Sequence, residues 1–293
     1  MIEFKKITLD SAEILRPYLE KSVNRLCDFS IGGTVMWRNA FDTHYAIYED
    51  VLYMKLKLFD GKTVFTRPLG KPFAQTYENL LEYCEATGEK LILINVSNEE
   101  KNELLKIFPE AEVVFERDFS DYIYLREDLA NFKGKRYSGQ RNHINRFMNE
   151  NENWQFEEIG AHNLPEIKEY FEKYNAATDK EALSAIAERN CVRDVLENLG
   201  VYGFFGEELR INGEIVGFFL CEAIFDTLIV HIEKCDRNIT GAYQMLAKEE
   251  AAKYCVGELK YVNREDDSGD EGLRKSKLSY HPFCIAEKYT ITL

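Results

Sequence analysis

Residues 215–251 read IVGFFLCEAIFDTLIVHIEKCDRNITGAYQMLAKEEA, and this stretch determines the fold class. Two apolar runs, 215–224 and 227–235, flank the dipeptide Phe225-Asp226, which predicts a long β-hairpin with a short turn. The chain then crosses a polar turn at 236–240 and enters a helix that opens with Gly241. Strands that alternate with helices in this way are typical of an α/β or α+β domain on a mixed sheet.

The second half of the chain extends this pattern, and the first half repeats its order in outline. A helix, an antiparallel meander, a second helix and a returning strand follow one another on both sides of a basic segment. In the second half the returning strand is predicted at 259–263 and a final strand at 284–292. We therefore predict an α/β (α+β) fold with two tandem mixed-sheet domains. The predicted boundaries are 1–126, a basic linking helix at 127–150, and 151–293, which carries the candidate site.

Composition restricts the class of protein. Of the 293 residues, 45% are apolar and 30% are charged, as in a globular chain. The net charge of −14 repels nucleic acid and anionic lipid, so either partner would need a local basic patch. Neither a secretory signal nor an apolar run of ~18 residues is present, so we expect no transmembrane segment.

The seven cysteines indicate the compartment. Their number is odd and no pair has CxxC spacing, which argues against a disulfide framework or a zinc ribbon. We therefore expect reduced thiols, a cytoplasmic location and no bound metal. No cysteine is paired in the sequence with a histidine, which disfavours a catalytic cysteine.

The turn and helix start at 236–242 form a candidate anion site. The first turn of a helix presents free N–H groups at the positive end of its dipole, and a glycine there lets a ligand approach the backbone. An arginine in the turn adds a guanidinium contact to phosphate. The candidate donor-binding residues are Arg237, Asn238, Thr240, Gly241 and Ala242. The alternative is a helix N-terminus capped by Asn238 or Thr240, with Gly241 giving a tight turn.

His231 and Glu233 lie two positions apart on a predicted strand. That spacing places both side chains on one face of a sheet, where an imidazole and a carboxylate can serve as general base and orienting group. The alternative is an ordinary exposed hairpin edge, with Glu233 paired to Lys234 or Lys248. No third residue has spacing that suggests a metal ligand.

Polar residues crowd the end of the strand that precedes the predicted helix 271–278. Strand ends that face a cleft often carry function in α/β proteins. The candidate acceptor-site or supporting residues are Asn263, Glu265, Asp266 and Arg274. Arg274 and Lys277 lie three apart on one helix face, where they can neutralise an anionic intermediate or a phosphate. A solvated charged loop is the alternative.

The segment 129–148 is basic within an acidic chain. It holds five lysines and arginines and no acidic residue, a local charge of about +5. Aromatic residues interleave with these charges, a pattern that suits RNA or lipid headgroups. The candidate contacts are Lys133, Lys135, Arg136, Arg141, Asn142 and Arg146. The alternative is an interdomain helix whose arginines pair with carboxylates.

Four stretches carry a resemblance to a known family: GKRYSGQRNHINRF, NGEIVGFF, HIEKCDRNITGAYQ and NREDDSGDEGLRKSKLSYHP. The chain resembles bacterial proteins related to the C-terminal domain of phosphatidylglycerol lysyltransferase. This resemblance implies tandem acyl-CoA N-acyltransferase (GNAT-like) folds, and Lys277 matches a basic residue near the reacting carbonyl. The strand, arginine-containing turn and Gly-Ala helix start are similar to the coenzyme A site of N-acetyltransferases. Full lysyltransferases also carry a multi-span membrane domain, which is not found in this sequence.

These features predict an acyl or aminoacyl transferase without a tightly bound cofactor. Glu233, with His231, is expected to take the proton, and Lys277 to stabilise the tetrahedral oxyanion. The donor is either acyl-CoA or aminoacyl-tRNA, and the acceptor is an amine or hydroxyl, including a phosphatidylglycerol-type headgroup. Two alternatives stay open: an acetyl-CoA-dependent N-acetyltransferase of a small amine, and a non-catalytic module that binds RNA or another anionic partner.

Overall fold

A computed structural model describes residues 2–70, 73–177 and 182–293. The chain divides into two compact units. The first contains the described residues up to Asp121 together with Ala286–Leu293, and the second spans Tyr122–Ile285. No helix among the described residues is long and apolar enough to cross a bilayer.

The first unit contains seven strands and three α-helices among its described residues. Its strands are β1 (Lys5–Lys6), β2 (His44–Tyr48), β3 (Val51–Lys57), β4 (Thr63–Thr66), β5 (Ile92–Val96), β6 (Glu112–Phe115) and, from the end of the chain, β14 (Tyr289–Thr292). Its helices are α1 (Ser11–Leu19), α2 (Phe73–Thr87) and α3 (Asn98–Ile107), and short 3₁₀ and π segments lie at Cys27–Phe29 and Gly32–Met36. The start of α3 is fixed by a capping box between Ser97 and Glu100.

The second unit is built in the same way and carries the candidate site. Its strands are β7 (Asp121–Leu125), β8 (Trp154–Glu158), β9 (Glu207–Ile211), β10 (Glu214–Ile224), β11 (Thr227–Cys235), β12 (Tyr261–Asn263) and β13 (Cys284–Ala286). Its helices are α4 (Arg126–Asn131), α5 (Ser138–Glu150), α6 (Leu164–Ala177), α7 (Leu183–Glu197), α8 (Leu199–Tyr202), α9 (Ala242–Glu249) and α10 (Glu271–Ser279). A π-helical turn, Glu250–Tyr254, continues α9.

The two sheets share one strand order. The first runs β1-β2-β3-β4-β5-β14-β6, and the second, counted from its opposite edge, runs β8-β9-β10-β11-β12-β7-β13. In each sheet the fourth and fifth strands are parallel, and the strand pairs on either side of them are antiparallel. The predicted α/β (α+β) class with two tandem GNAT-like, mixed-sheet units is therefore confirmed.

In each sheet the sixth strand comes from the half of the chain that was predicted to form the other domain. β14, the last strand of the chain, pairs between β5 and β6, and β7 pairs with β12. Consequently the predicted boundaries 1–126 and 151–293 do not coincide with the two units. The predicted final strand 284–292 is also wrong as a single element. It breaks after Ala286, where Lys288 is buried in ion pairs with Asp28 and Asp121 of the first unit.

Residues 127–150 do not form a separate linking helix. The chain forms α4, a left-handed turn at Phe132 and α5, and all of it belongs to the second unit. Leu129, Phe132, Tyr137 and Phe147 are fully buried in that unit's core, which explains why the segment packs as part of the domain. Strands β10 and β11 and helix α9 contribute most of the rest of this core.

Candidate active site

Strands β11 and β12 stop pairing in the centre of the second sheet, and we call the region beyond the end of β12 the split. They pair from Thr227 and Tyr261 to Ile229 and Asn263, where β12 ends. β11 continues for six more residues to Cys235. The side chains of 230–235 and the segment after Asn263 therefore meet at a split in the sheet, which is where the candidate residues of the sequence analysis gather.

A β-bulge in β11 separates two of the predicted catalytic residues. Leu220 pairs with Ile232 and Cys221 pairs with Val230, which leaves His231 as the extra residue. The bulge reverses the alternation of side chains, so His231 points to Glu222 while Glu233 lies opposite Phe219 on the other face. The prediction that His231 and Glu233 share one face is therefore wrong, because the spacing of two holds only for an unbulged strand.

His231 is enclosed by two carboxylates. Its Nδ1 lies 2.8 Å from Glu265 Oε1, its Nε2 lies 3.1 Å from Glu222 Oε2, and its ring stacks on Phe204. Burial lowers its pKa, but the hydrogen bonds to both glutamates outweigh burial and raise the pKa to about 9. At neutral pH the ring is an imidazolium that donates from both nitrogens, so it orients Glu265 and cannot accept a proton.

Glu233 faces a different set of partners. Its Oε2 forms an ion pair with Arg264, whose guanidinium also stacks 4.7 Å from the centre of the Tyr280 ring. Glu250, at the start of the π-helical turn, is the other carboxyl in the electrostatic surroundings of Arg264. The Glu233 side chain keeps 14% of its surface exposed, while its Oε1 is buried and its Oε2 is bonded to Arg264.

The turn before α9 is held by its own side chains. Asp236 Oδ1 accepts hydrogen bonds from the backbone and side-chain nitrogens of Asn238, at 2.8 and 2.9 Å. Arg237 is exposed, and the nearby Tyr174 and Tyr243 raise its pKa. Thr240 is half-buried, and Ala242 is buried in the core. Of the predicted donor-binding side chains, Arg237 and Asn238 therefore face solvent.

Gly241 is required by packing. Its φ is +86°, and a Cβ atom there would lie 2.2 Å from the carbonyl oxygen of His143 in α5. The glycine thus allows α5 to cross the start of α9. Close approach of a ligand, the predicted reason for this glycine, is not needed to explain it.

The loop after β12 is tied to α10 by charged side chains. Lys277 Nζ donates to the carbonyl oxygens of Arg264, at 2.5 Å, and Asp266. Arg274 donates to both carboxylate oxygens of Asp267, at 2.6 and 2.9 Å. These bonds place the ammonium of Lys277 against backbone oxygens, where it holds the loop that carries Arg264.

The carboxylate of Asp267 is the centre of this tie. It also accepts a hydrogen bond of 2.5 Å from the hydroxyl of Tyr122. Burial opposes its ionisation, but the bonds from Arg274 and Tyr122 lower its pKa to about 2.

The other predicted acceptor-site residues shape the same loop. The buried Asn263 accepts at Oδ1 from the Glu265 backbone, at 2.7 Å, which supports the positive φ of Glu265. Asp266 Oδ1 accepts from the backbone and hydroxyl of Ser268. Within this group, Glu265 reaches the imidazolium of His231.

Three of the six candidate residues in the basic segment form hydrogen bonds or ion pairs within the second unit. Arg141 donates to the carbonyl oxygens of Phe132 and Gly134 and so closes the left-handed turn. Arg136 pairs with Asp128 at 2.9 Å and Arg146 pairs with Glu150 at 2.7 Å. Lys133, Lys135 and Asn142 are exposed. Arg136 and Arg146 thus pair with carboxylates, as the alternative expected, but these carboxylates belong to the same unit, and Arg141 binds carbonyl oxygens instead.

The sequence analysis did not single out Glu222, Glu250, Arg264 or Asp267. Glu222 has a visible signal, because it is the one charged residue in the apolar run 215–225. Glu250 sits on the apolar face of α9, a similar signal of a buried charge. Arg264 and Asp267 lie in a polar run where nothing in the sequence separates buried from exposed residues.

Two tandem GNAT-like units with a polar split between central parallel strands define the class of protein. The family described as phosphatidylglycerol lysyltransferase, C-terminal, matches residues 21–292. The chain belongs to this family, which confirms the resemblance found in the sequence.

Solved structures and one curated relative are also similar. A conserved protein of unknown function from Bacteroides thetaiotaomicron shares 34% identity, with a TM-score of 0.92 over 100% of both chains. L-PGS from Bacillus licheniformis shares the fold at 16% identity, with a TM-score of 0.67 over 96% of this chain and 91% of that one. An uncharacterised protein from Mycoplasmoides gallisepticum is 23% identical over 62% of this chain, and this match covers 58% of that protein's length.

Proposed function

We propose that the chain is an acyl or aminoacyl transferase that moves an activated acyl group to an amine or hydroxyl acceptor. The observation that carries this proposal is the partly exposed Glu233 at the split between β11 and β12, paired with Arg264. A carboxylate that is paired with an arginine at the edge of a low-dielectric site is suited to general-base catalysis. Family membership supports the same class of reaction.

The transfer needs a base that takes up one proton, a new bond to the acyl carbon and the loss of the bond between the acyl carbon and the leaving group. The acceptor N–H or O–H gives its proton to Glu233, and the nucleophile forms a bond to the acyl carbon. The tetrahedral intermediate then expels the sulfur of coenzyme A or the ribose oxygen of tRNA, which receives the proton from Glu233. Glu265 lies next to Arg264 in the loop after β12 and is held by the imidazolium of His231. It is available to orient the acceptor.

The donor is aminoacyl-tRNA or acyl-CoA, and the family description favours the first. It also suggests a phosphatidylglycerol-type headgroup as the acceptor. The exposed Arg237 before α9 favours acyl-CoA, because a guanidinium there can contact a pyrophosphate. The exposed Lys133 and Lys135 favour RNA, either as donor or as the ligand of a non-catalytic module.

Native mass spectrometry with coenzyme A and with tRNA tests the donor. A bound mass of coenzyme A that is lost in Arg237→Ala would identify an acyl-CoA enzyme, and a bound tRNA would identify the aminoacyl route. Binding of neither would contradict the transferase proposal.

Replacement of Glu233 tests the chemistry. Glu233→Gln keeps the side-chain shape but removes the base, so transfer should fall by about 10²- to 10⁴-fold while donor binding persists. The control is Glu214→Gln, an exposed position on β10 that should leave the rate unchanged. A Glu233→Gln protein with the parental rate would exclude Glu233 as the base.

A further inference from the structure

A second carboxyl lies behind the candidate base. Glu250 begins the π-helical turn that follows α9, and its side chain is completely buried. Its electrostatic neighbours are Glu233 and Arg264. Insertions of π-helix often mark functional positions, because they interrupt regular helical bonding. We call these three residues the acid-pair cluster.

The acid-pair cluster is rich in polar atoms that are not hydrogen-bonded. Among the described residues no partner is found for Glu233 Oε1, for either carboxyl oxygen of Glu250, or for Nε and Nη1 of Arg264. Arg264 and Glu233 Oε2 form an ion pair within the cluster. Most buried polar atoms in proteins are bonded, so five open atoms on three neighbouring residues require a physical explanation.

Charge determines which member of this cluster is neutral. The cluster contains two carboxyls and one guanidinium, and an ionised carboxylate without a counter-ion is very unfavourable in a buried site. Glu233 already has the arginine, so Glu250 is the member that must be neutral. Burial, and then the charge of Glu233, hold the pKa of Glu250 well above its usual range.

The other titratable groups around the cluster do not supply the missing charge. They are Cys221 on β10, Tyr124 on β7, Tyr243 on α9 and Tyr280 at the end of α10. Burial raises the pKa of each of these thiol and phenol groups, so all four are neutral in the physiological range. The three members of the cluster therefore determine which of its two carboxyls carries a proton.

We propose that Glu250 is a positioning residue that retains one proton and stays neutral behind the ion pair of Glu233 and Arg264. This inference rests on the transferase reaction proposed above. In the resting protein the pair holds one proton, on Glu250. During transfer the acceptor proton goes to Glu233 and passes from it to the leaving group, so Glu250 ends the cycle with the proton that it had. Glu233 thus serves as base and then as acid, while Glu250 stays protonated throughout the cycle.

Infrared spectroscopy of the protein over a pH series tests the assignment. The carbonyl stretch of a protonated carboxylic acid should be present at neutral pH, and Glu250→Gln should remove one component of it. Glu249→Gln, at the adjacent and half-buried position, should retain that component. Glu233→Gln removes the neighbouring negative charge, so the Glu250 component should disappear at a lower pH than in the parent protein. A merely structural Glu250 would not show this coupling.

Stability measurements give a second test that needs no substrate. The folded pKa of Glu250 is raised above its unfolded value of about 4.3, so the parent protein loses stability as the pH rises above that value. The midpoint of thermal unfolding of Glu250→Gln should therefore move upward relative to the parent as the pH increases.

The outcomes separate this inference from the proposed function. A neutral-pH acid component that survives Glu250→Gln, or one that does not respond to Glu233→Gln, would overturn the proton assignment. If the infrared results hold but Glu233→Gln transfers at the parental rate, the proton assignment stands and Glu233 is not the base.

Discussion

Each unit of the protein places one buried and one partly exposed carboxyl around one cation, but the two clusters differ in how completely they are bonded. In the first unit Lys288 lies 2.6 Å from Asp28 and 2.7 Å from Asp121. Asn95 and Cys27 donate to the remaining carboxylate oxygens, so all four oxygens of the two aspartates have partners. In the acid-pair cluster of the second unit, three of four carboxyl oxygens have none among the described residues.

This difference distinguishes a structural cluster from a candidate site. The sulfur of Cys27 and the carboxylates of Asp28 and Asp121 are close enough to hold a cation, and the ammonium of Lys288 takes that role. A fully bonded buried network fixes a conformation, whereas open polar atoms leave capacity for a ligand or a proton. The same fold therefore carries a fully bonded cluster in one unit and a candidate site in the other.

Removal of Lys288 should have the largest effect. Lys288→Met leaves the buried Asp121 and the partly exposed Asp28 without a cation, so the free energy of unfolding should fall by about 3–5 kcal/mol, as measured by urea denaturation. The exposed ion pair of Lys173 and Glu169 provides the control, and Lys173→Met should unfold at nearly the parental urea concentration. A Lys288→Met protein as stable as the control would mean that the first cluster does not hold the fold together.

Two glycines with the same backbone angle allow a comparison of strain with packing. Gly241 and Gly61 both have φ of +86°, but an added Cβ meets the His143 carbonyl at Gly241 and open space at Gly61. Each alanine variant is expected to lose about 1–3 kcal/mol from backbone strain, and Gly241→Ala should lose at least about 1 kcal/mol more from overpacking. Equal losses by thermal unfolding would show that α5 moves aside easily and that Gly241 is free to serve a ligand.

The tie between Asp267 and Arg274 should make stability depend on acid pH. The folded pKa of Asp267 is about 2, below its unfolded value of about 3.9, so its contribution is full above the unfolded value and is lost as the pH falls towards 2. The parent should therefore lose about 2 kcal/mol more than Asp267→Asn between pH 5 and pH 2, by denaturant titration at each pH. Parallel curves for the two proteins would contradict the ion pair.

Charge reversal in the basic segment should have the smallest effect on the fold. Lys133 and Lys135 are exposed and appear in no ion pair of the described residues, unlike Arg136 and Arg146. Reversing both lysines should flatten the log–log salt dependence of tRNA binding by about 1 to 2 units while stability stays unchanged. The same change at Arg141 should destabilise the turn that this residue closes. An unaltered slope would remove RNA recognition from the two lysines.

The sequence by itself determined the hairpin, the helix order, the tandem class and the family. Those features depend on local periodicity, on turn residues such as Phe225-Asp226, and on motifs that lie within one stretch of chain. It also located the polar segment 263–277, in which three candidate residues help to fix the loop beside the split.

Only the tertiary structure decided where the strands and charges meet. Nothing local indicates that β14 pairs in the first sheet, because its partners lie about two hundred residues away in the sequence. The bulge at His231 depends on the register with β10, and a single extra residue moved the imidazole to the face opposite Glu233. The pairing of Glu233 with Arg264 and the burial of Glu250 arise from packing between elements, which a pattern of hydrophobicity along one element does not encode.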